Sequence, residues 1–127
     1  MAYNAFLERM GEVNDLLNAD SILNWDARTM MPPGGADTRA KQLATLSVVT
    51  REHLVADETR GLLERAEAEV ANLPSDSVER TMCAHVREAI DYHLRIPAAL
   101  VHKRAEVGSI GQHIWAKARA ESDFASF

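Results

Sequence analysis

A single cysteine, Cys83, leaves no intrachain disulfide and no cysteine set able to hold zinc or an iron–sulfur cluster. That usage fits a reducing, cytoplasmic compartment. Aromatic residues are scarce at 6%, and no apolar run approaches the ~20 residues that a membrane-spanning helix needs. The opening stretch MAYNAFLERM lacks a basic segment followed by an apolar one, and position 2 is not glycine, so neither export nor a myristoyl anchor is expected. Basic charge is in deficit as well. Fourteen lysines and arginines face 19 acidic residues for a net charge of −5, with no basic stripe, which argues against nucleic acid as a partner. Nothing longer than Ser47-Val48-Val49-Thr50 reads as strand.

Helix formers fill what is left, with 20 alanines, 12 leucines, 11 glutamates and 11 arginines in a chain of 127 residues, the length of one domain. An all-α fold of about five helices follows, arranged as antiparallel hairpins or a bundle, compact or extended. The first helix is expected over residues 3–26, where Phe6, Met10, Val13 and Leu17 draw one apolar stripe. Met31-Pro32-Pro33-Gly34-Gly35 stops it, because each proline lacks an N–H and pushes the residue before it out of helical geometry. A second helix starts near Ala36 or Asp37, with Leu43, Leu46, Val49 or Thr50, and His53 or Leu54 facing inward. Asp57 is expected to cap a third over residues 58–72, its inward face carrying Leu62, Leu63, Ala66, Val70 and Leu73. The fourth, residues 77–95, follows Pro74 and buries Val78, Met82, His85 or Val86, Ala89 and Ile90. Pro97 suits the first turn of a fifth helix. That helix reaches about residue 120, with Leu100, Arg104 or Val107, Ile110 or Gly111, Ile114 and Ala118 as its core face. Asp123 reads as the cap of a sixth helix bearing Phe124 and Phe127. A cap followed so soon by the last residue reads as a domain cut short, the alternative being a tail whose two phenylalanines dock.

Chemistry is hard to find in these residues. No histidine has another four positions away, which zinc proteases of the His-Glu-x-x-His type require, and none has a glutamate three positions before it, as di-iron bundles require. His85 and Glu88 share a helix face, a spacing that suits a local hydrogen bond better than a ligand pair. Cys83, between Met82 and Ala84, reads as an inert core thiol. No nucleophile elbow or phosphate loop occurs. The unusual string is Leu23-Asn24-Trp25-Asp26-Ala27-Arg28-Thr29-Met30-Met31-Pro32-Pro33-Gly34-Gly35. Read structurally, Trp25 with Met30 or Met31 packs a helix end, Asp26 and Arg28 hold the turn by hydrogen bonds, and the Pro-Pro-Gly-Gly segment makes the reversal.

The same string resembles the N-terminal signature of the Taq-type metallocarboxypeptidases, the M32 peptidase family, in which a helix ends in Trp-Asp, a methionine pair and Pro-x-Gly-Gly. Here Trp25, Asp26, Met30, Met31, Pro32, Gly34 and Gly35 fill those places. Arg39 to Ser47 resembles the family's second helix, and Arg87-Glu88 through Tyr92 to Ile96-Pro97-Ala98-Ala99-Leu100-Val101 resembles a later passage. The last block, with Trp115, Arg119, Asp123 and Phe124, resembles its Trp-x-x-Ala-Arg and Asp-Phe-x-x-Phe elements. Four points in order make the match run end to end.

The resemblance implies cytoplasmic, mostly dimeric, nearly all-helical zinc or cobalt enzymes that remove single residues from peptide C-termini. Such enzymes are several times longer than this chain. Their His-Glu-x-x-His helix, third metal ligand and substrate motifs have no counterpart here, so no catalytic or metal residue is carried over and no cofactor is expected in this chain itself. What is implied is an N-terminal helical region, residues 1–127, that lines or covers a substrate groove. Its expected partners are the remainder of the carboxypeptidase chain and a second copy, with peptide substrates only for the full-length enzyme and neither nucleic acid nor membrane. A free-standing helical binding or oligomerisation module without enzymatic activity is the alternative.

Overall fold

The computed structural model describes residues 1–126; Phe127, and with it half of the expected phenylalanine pair, lies outside the described residues. Among the described residues the fold is all-α, with no strand. Five α-helices follow in order, α1 (Ala2–Thr29), α2 (Ala36–Val55), α3 (Asp57–Val70), α4 (Val78–Leu94) and α5 (Ala98–Glu121), with short 3₁₀ turns at Pro33–Gly35 and Phe124–Ser126. Three of the four breaks between these helices fall at prolines, and the one between α2 and α3 falls at Ala56. Pro32 itself is extended (φ −60°, ψ 147°), and the chain re-enters helical geometry at Ala36.

The chain divides into two compact units. The first combines Met1–Leu17 with Thr50–Pro97. Its core is built from Phe6, Met10 and Val13 of α1, Leu63, Ala66 and Val70 of α3, and Cys83, Val86 and Ile90 of α4, with Phe6, Leu63 and Ile90 fully buried. Spacings of three and four along each helix place these side chains on one face. Helices α3 and α4 pack against each other as a hairpin, joined through Pro74.

Three interactions between residues far apart in sequence finish this unit. The Glu69 carboxylate of α3 accepts from the Ala2 and Tyr3 N–H groups at 2.6 and 3.2 Å, which occupies free donors at the positive end of α1. The Arg51 guanidinium of α2 donates to the His93 and Ile96 carbonyls at 2.9 and 2.8 Å, closing the C-terminal end of α4. Arg87 meets Glu67 through two bonds, at 3.1 and 2.6 Å, and ties α4 to α3.

The second unit combines Asn18–Val49 with the segment that starts at Ala98. Its buried apolar residues are small or few: Ala40, Leu43 and Ala44 on α2 and Ala118 on α5.

Several expectations need correction. The first helix runs three residues further, to Thr29, and Leu17 is half exposed because the core of the first unit stops at Val13. Ala56, not Asp57, occupies the N-cap of α3; Asp57 lies inside the first turn, where its carboxylate pairs with Arg60. Helix α3 ends at Val70, so Leu73 falls past its end and is exposed. Ser77 caps α4, its hydroxyl accepting from the Arg80 N–H at 3.3 Å, and Val78, expected to be buried, is exposed at the outer end of that helix. Pro97 precedes α5 by one residue. The expected core face of α5 is largely open, with Leu100 57%, Val107 51% and Ile114 39% exposed. Apolar periodicity marks a face; it does not supply the partner.

Candidate functional site

The Trp25–Gly35 turn is held by one residue outside it. Arg39, one turn into α2, donates to the Asp26 carboxylate at 2.8 Å, to the Leu23 carbonyl at 2.7 Å and to the Gln42 side chain at 3.1 Å. The Asp26 carbonyl takes the Met30 and Met31 N–H groups at 3.0 and 2.9 Å and so closes α1. Trp25 and Met30 do not pack the helix end, being 62% and 75% exposed; Met31 does, half-buried beside Gly35. A Cβ at Gly35 would stand 3.1 Å from the Met31 Cγ, so the close approach favours glycine there. Gly34 has open space where a side chain would go, and Pro32 accepts the Gly35 N–H at 2.9 Å. Among the described residues no hydrogen bond of Arg28 holds the turn; that role falls to Arg39, 13 residues beyond Asp26.

The second block gathers at the end of α5. Arg119 stacks over the Trp115 ring at 5.3 Å. These two residues, with Ala118, Ser122 and Phe124, line a hollow of about 310 Å³. Asp123 stands directly before the 3₁₀ turn at Phe124–Ser126. Its N–H reaches back 2.8 Å to the Ala118 carbonyl, while the Ser122 N–H reaches Arg119 at 3.3 Å and Ser122 adopts φ +53°. This pair of bonds around a left-handed residue is the Schellman closure of α5. Phe124 follows in the 3₁₀ turn and is 86% exposed.

The two blocks meet at a larger cleft. About 660 Å³ in volume, it is lined wholly by residues of the second unit, among them Met31 from the first block and Trp115 from the last. Asp20, Asn24 and Arg28 of α1, Ser47 of α2, and Arg104, Ser109, Gln112 and His113 of α5 supply its polar groups. Burial raises the Asp20 carboxyl above its ordinary range, opposed by a hydrogen bond from Asn24 at 2.9 Å. Composition and spacing gave no sign of this cleft, because its walls come from three helices separated by up to about 70 residues of chain.

Among the described residues no three histidine, cysteine, aspartate or glutamate side chains are grouped to hold a metal ion, so the residues of this chain do not fit a resident metal. Cys83 is buried, and burial pushes its thiol up, away from the reactive thiolate. His85 and Glu88 form no hydrogen bond with each other among the described residues, both being exposed. No helix of the structure is long and apolar enough to cross a membrane.

The chain is similar to known proteins. A crystal structure described as "BsuCP Crystal Structure" superimposes with a TM-score of 0.89 at 21% identity, over 99% of this chain and 25% of that one, so the helical fold is common to both. The thermostable carboxypeptidase 1 of Thermus thermophilus is 27% identical over 126 residues, covering 99% of this chain and 25% of the relative. That of Pyrococcus furiosus is 29% identical over 110 residues, with 87% and 21% covered. The chain thus spans about a quarter of the length of the relatives it matches. The family description "Carboxypeptidase Taq (M32) metallopeptidase" matches residues 5–127, and by that match the chain belongs to the M32 carboxypeptidase family.

Proposed function

We propose that this chain is the N-terminal helical segment of a metal-dependent carboxypeptidase that removes single residues from peptide C-termini. The observation that carries the reading is the family match across residues 5–127, against relatives about four times longer. Within such an enzyme the segment shapes or covers the substrate groove, and the zinc or cobalt site, the His-Glu-x-x-His helix and the general base belong to the remainder of the chain. The donor sets described above support that division of labour, since none of them is arranged to hold a metal ion. The setting proposed is the cytoplasm, in keeping with one buried free thiol and no disulfide.

The purified 127-residue chain, incubated with peptides and zinc or cobalt, should release no C-terminal residue; release would overturn the reading of an inactive segment. A free-standing binding module is separated by reading the coding frame past Phe127. A continuing frame that carries His-Glu-x-x-His eliminates the module, and its absence eliminates the enzyme segment.

A further inference from the structure

The large cleft of the second unit reverses the charge of the chain around it. Its lining holds two guanidinium groups, Arg28 and Arg104, and the His113 imidazole, against the single carboxylate of Asp20. Most other arginines are engaged. Arg9, Arg39, Arg60 and Arg87 pair with carboxylates, Arg51 and Arg80 donate to carbonyls, and Arg119 covers Trp115. Among the described residues neither Arg28 nor Arg104 has a carboxylate partner, although the chain carries 19 acidic residues. Asp20 takes a hydrogen bond from Asn24, and among the described residues it pairs with neither guanidinium. Apolar groups from Met31, Leu43 and Trp115 share the wall, and the volume of about 660 Å³ falls inside the range of roughly 300–1,000 Å³ typical of small-ligand sites.

We propose that this cleft binds a carboxylate-bearing peptide of two or three residues, its carboxylate held by Arg28 and Arg104 and its apolar side chain laid against Met31, Leu43 and Trp115. A guanidinium fork suits phosphate as well as carboxylate, and the choice of carboxylate rests on the peptidase reading.

The probe is the dipeptide acetyl-Leu-Glu, titrated into the chain in a Trp25→Phe background that leaves Trp115 as the only indole. Trp115 fluorescence should change saturably, and the affinity should fall as salt rises. Arg28→Gln and Arg104→Gln should each weaken binding about tenfold, the loss expected for one charge-assisted bond. Arg65→Gln, in the first unit and not among the lining residues, should leave it unchanged. Gly108 lines the cleft with open space where a side chain would go, so Gly108→Leu should block binding while circular dichroism shows the helices intact. Binding indifferent to both arginine changes, or to Gly108→Leu, overturns the site. Equal competition by inorganic phosphate or by acetyl-Leu-Gln amide overturns its carboxylate assignment. Neither result touches the peptidase reading, which is decided by the release assay and the coding frame.

Discussion

The Arg39 guanidinium lies 2.8 Å from the Asp26 carboxylate and, through its other terminal nitrogen, 2.7 Å from the Leu23 carbonyl. One side chain of α2 thereby ties the last turns of α1 to the helix that follows the Pro32–Pro33 reversal. The Arg39 side chain is 16% exposed and the Asp26 side chain 35%, so water screens the pair only in part. Arg39→Met should destabilise by about 1–3 kcal/mol, since it removes both bonds and leaves a half-buried carboxylate unpaired. Asp26→Asn should cost less, because an amide oxygen still accepts from Arg39. Urea unfolding of the two variants gives the order, and an Asp26 variant as damaging as the Arg39 one would contradict it.

Ser122 is the one residue other than glycine with a positive φ among those described, at +53°. It occupies the left-handed position of the Schellman closure of α5, which glycine fills without steric penalty. Ser122→Gly should therefore stabilise by about 1 kcal/mol, and Ser122→Val should destabilise by at least as much. A shift of the unfolding midpoint in the opposite sense would show that Ser122 gains more from its side chain than its backbone loses.

Thr59 is the fully buried polar side chain of the first unit. Its hydroxyl accepts from the Arg9 Nε at 2.8 Å and donates to the His53 carbonyl at 2.7 Å, joining α1, α2 and α3 at one atom. Thr59→Val keeps the volume and deletes both bonds, so about 1–3 kcal/mol should be lost. Thr59→Ser, which keeps the hydroxyl, should recover most of the bonding contribution and lose only the packing of one methyl group.

The proline breaks and the alternating spacings of α1, α3 and α4 were legible from sequence, because local sterics and helical period decide them. Phe6, Met10, Val13, Leu63, Ala66, Val70 and Ile90 are buried as the stripes require. Legibility ended where a partner lies far along the chain. Arg51 closes α4 from 42 and 45 residues away, Glu69 caps α1 from 67 and 66, and Arg39 rather than Arg28 holds the turn. No local pattern marks such partners, since any exposed arginine or glutamate on a neighbouring helix would look the same. Ala40 and Ala44 are buried with little hydropathic signal, while of the expected apolar row of α5 Ala118 is buried and Leu100, Val107 and Ile114 are not covered.

His93 carries a buried Nδ1 without a hydrogen-bond partner, and its pKa is lowered first by burial and then by the nearby Arg51 charge. The folded chain thus binds its proton less readily than the unfolded chain does. The resulting stability is present above the ordinary histidine pKa of about 6.5 and is lost as pH falls from there through the folded value. Glu12, lowered by hydrogen bonds from His53 and then Arg9, adds a second loss at more acid pH, below the ordinary glutamate range. Unfolding followed from pH 7.5 downward should show the first decline in the parent and not in His93→Leu. A decline that persists unchanged in that variant would assign it to other groups.

Exposed apolar residues gather in the second unit, where Ile22, Trp25, Met30, Leu100, Val107 and Phe124 are all more than half exposed. Soluble monomers seldom leave much such surface uncovered. Covering ~300 Å² of it is worth about 7 kcal/mol at roughly 25 cal/mol per Å², which is comparable with the lower estimates of the entropy lost on association. For the 127 residues taken by themselves a second copy is the available partner, and sedimentation should show a mass above 14.1 kDa that grows with concentration. Leu100→Glu and Val107→Glu, both on the open face of α5, should return the chain to a monomer with its helicity intact. A parent chain that stays monomeric at high concentration would show that these side chains are tolerated in water, and that the apolar row of α5 does not drive assembly.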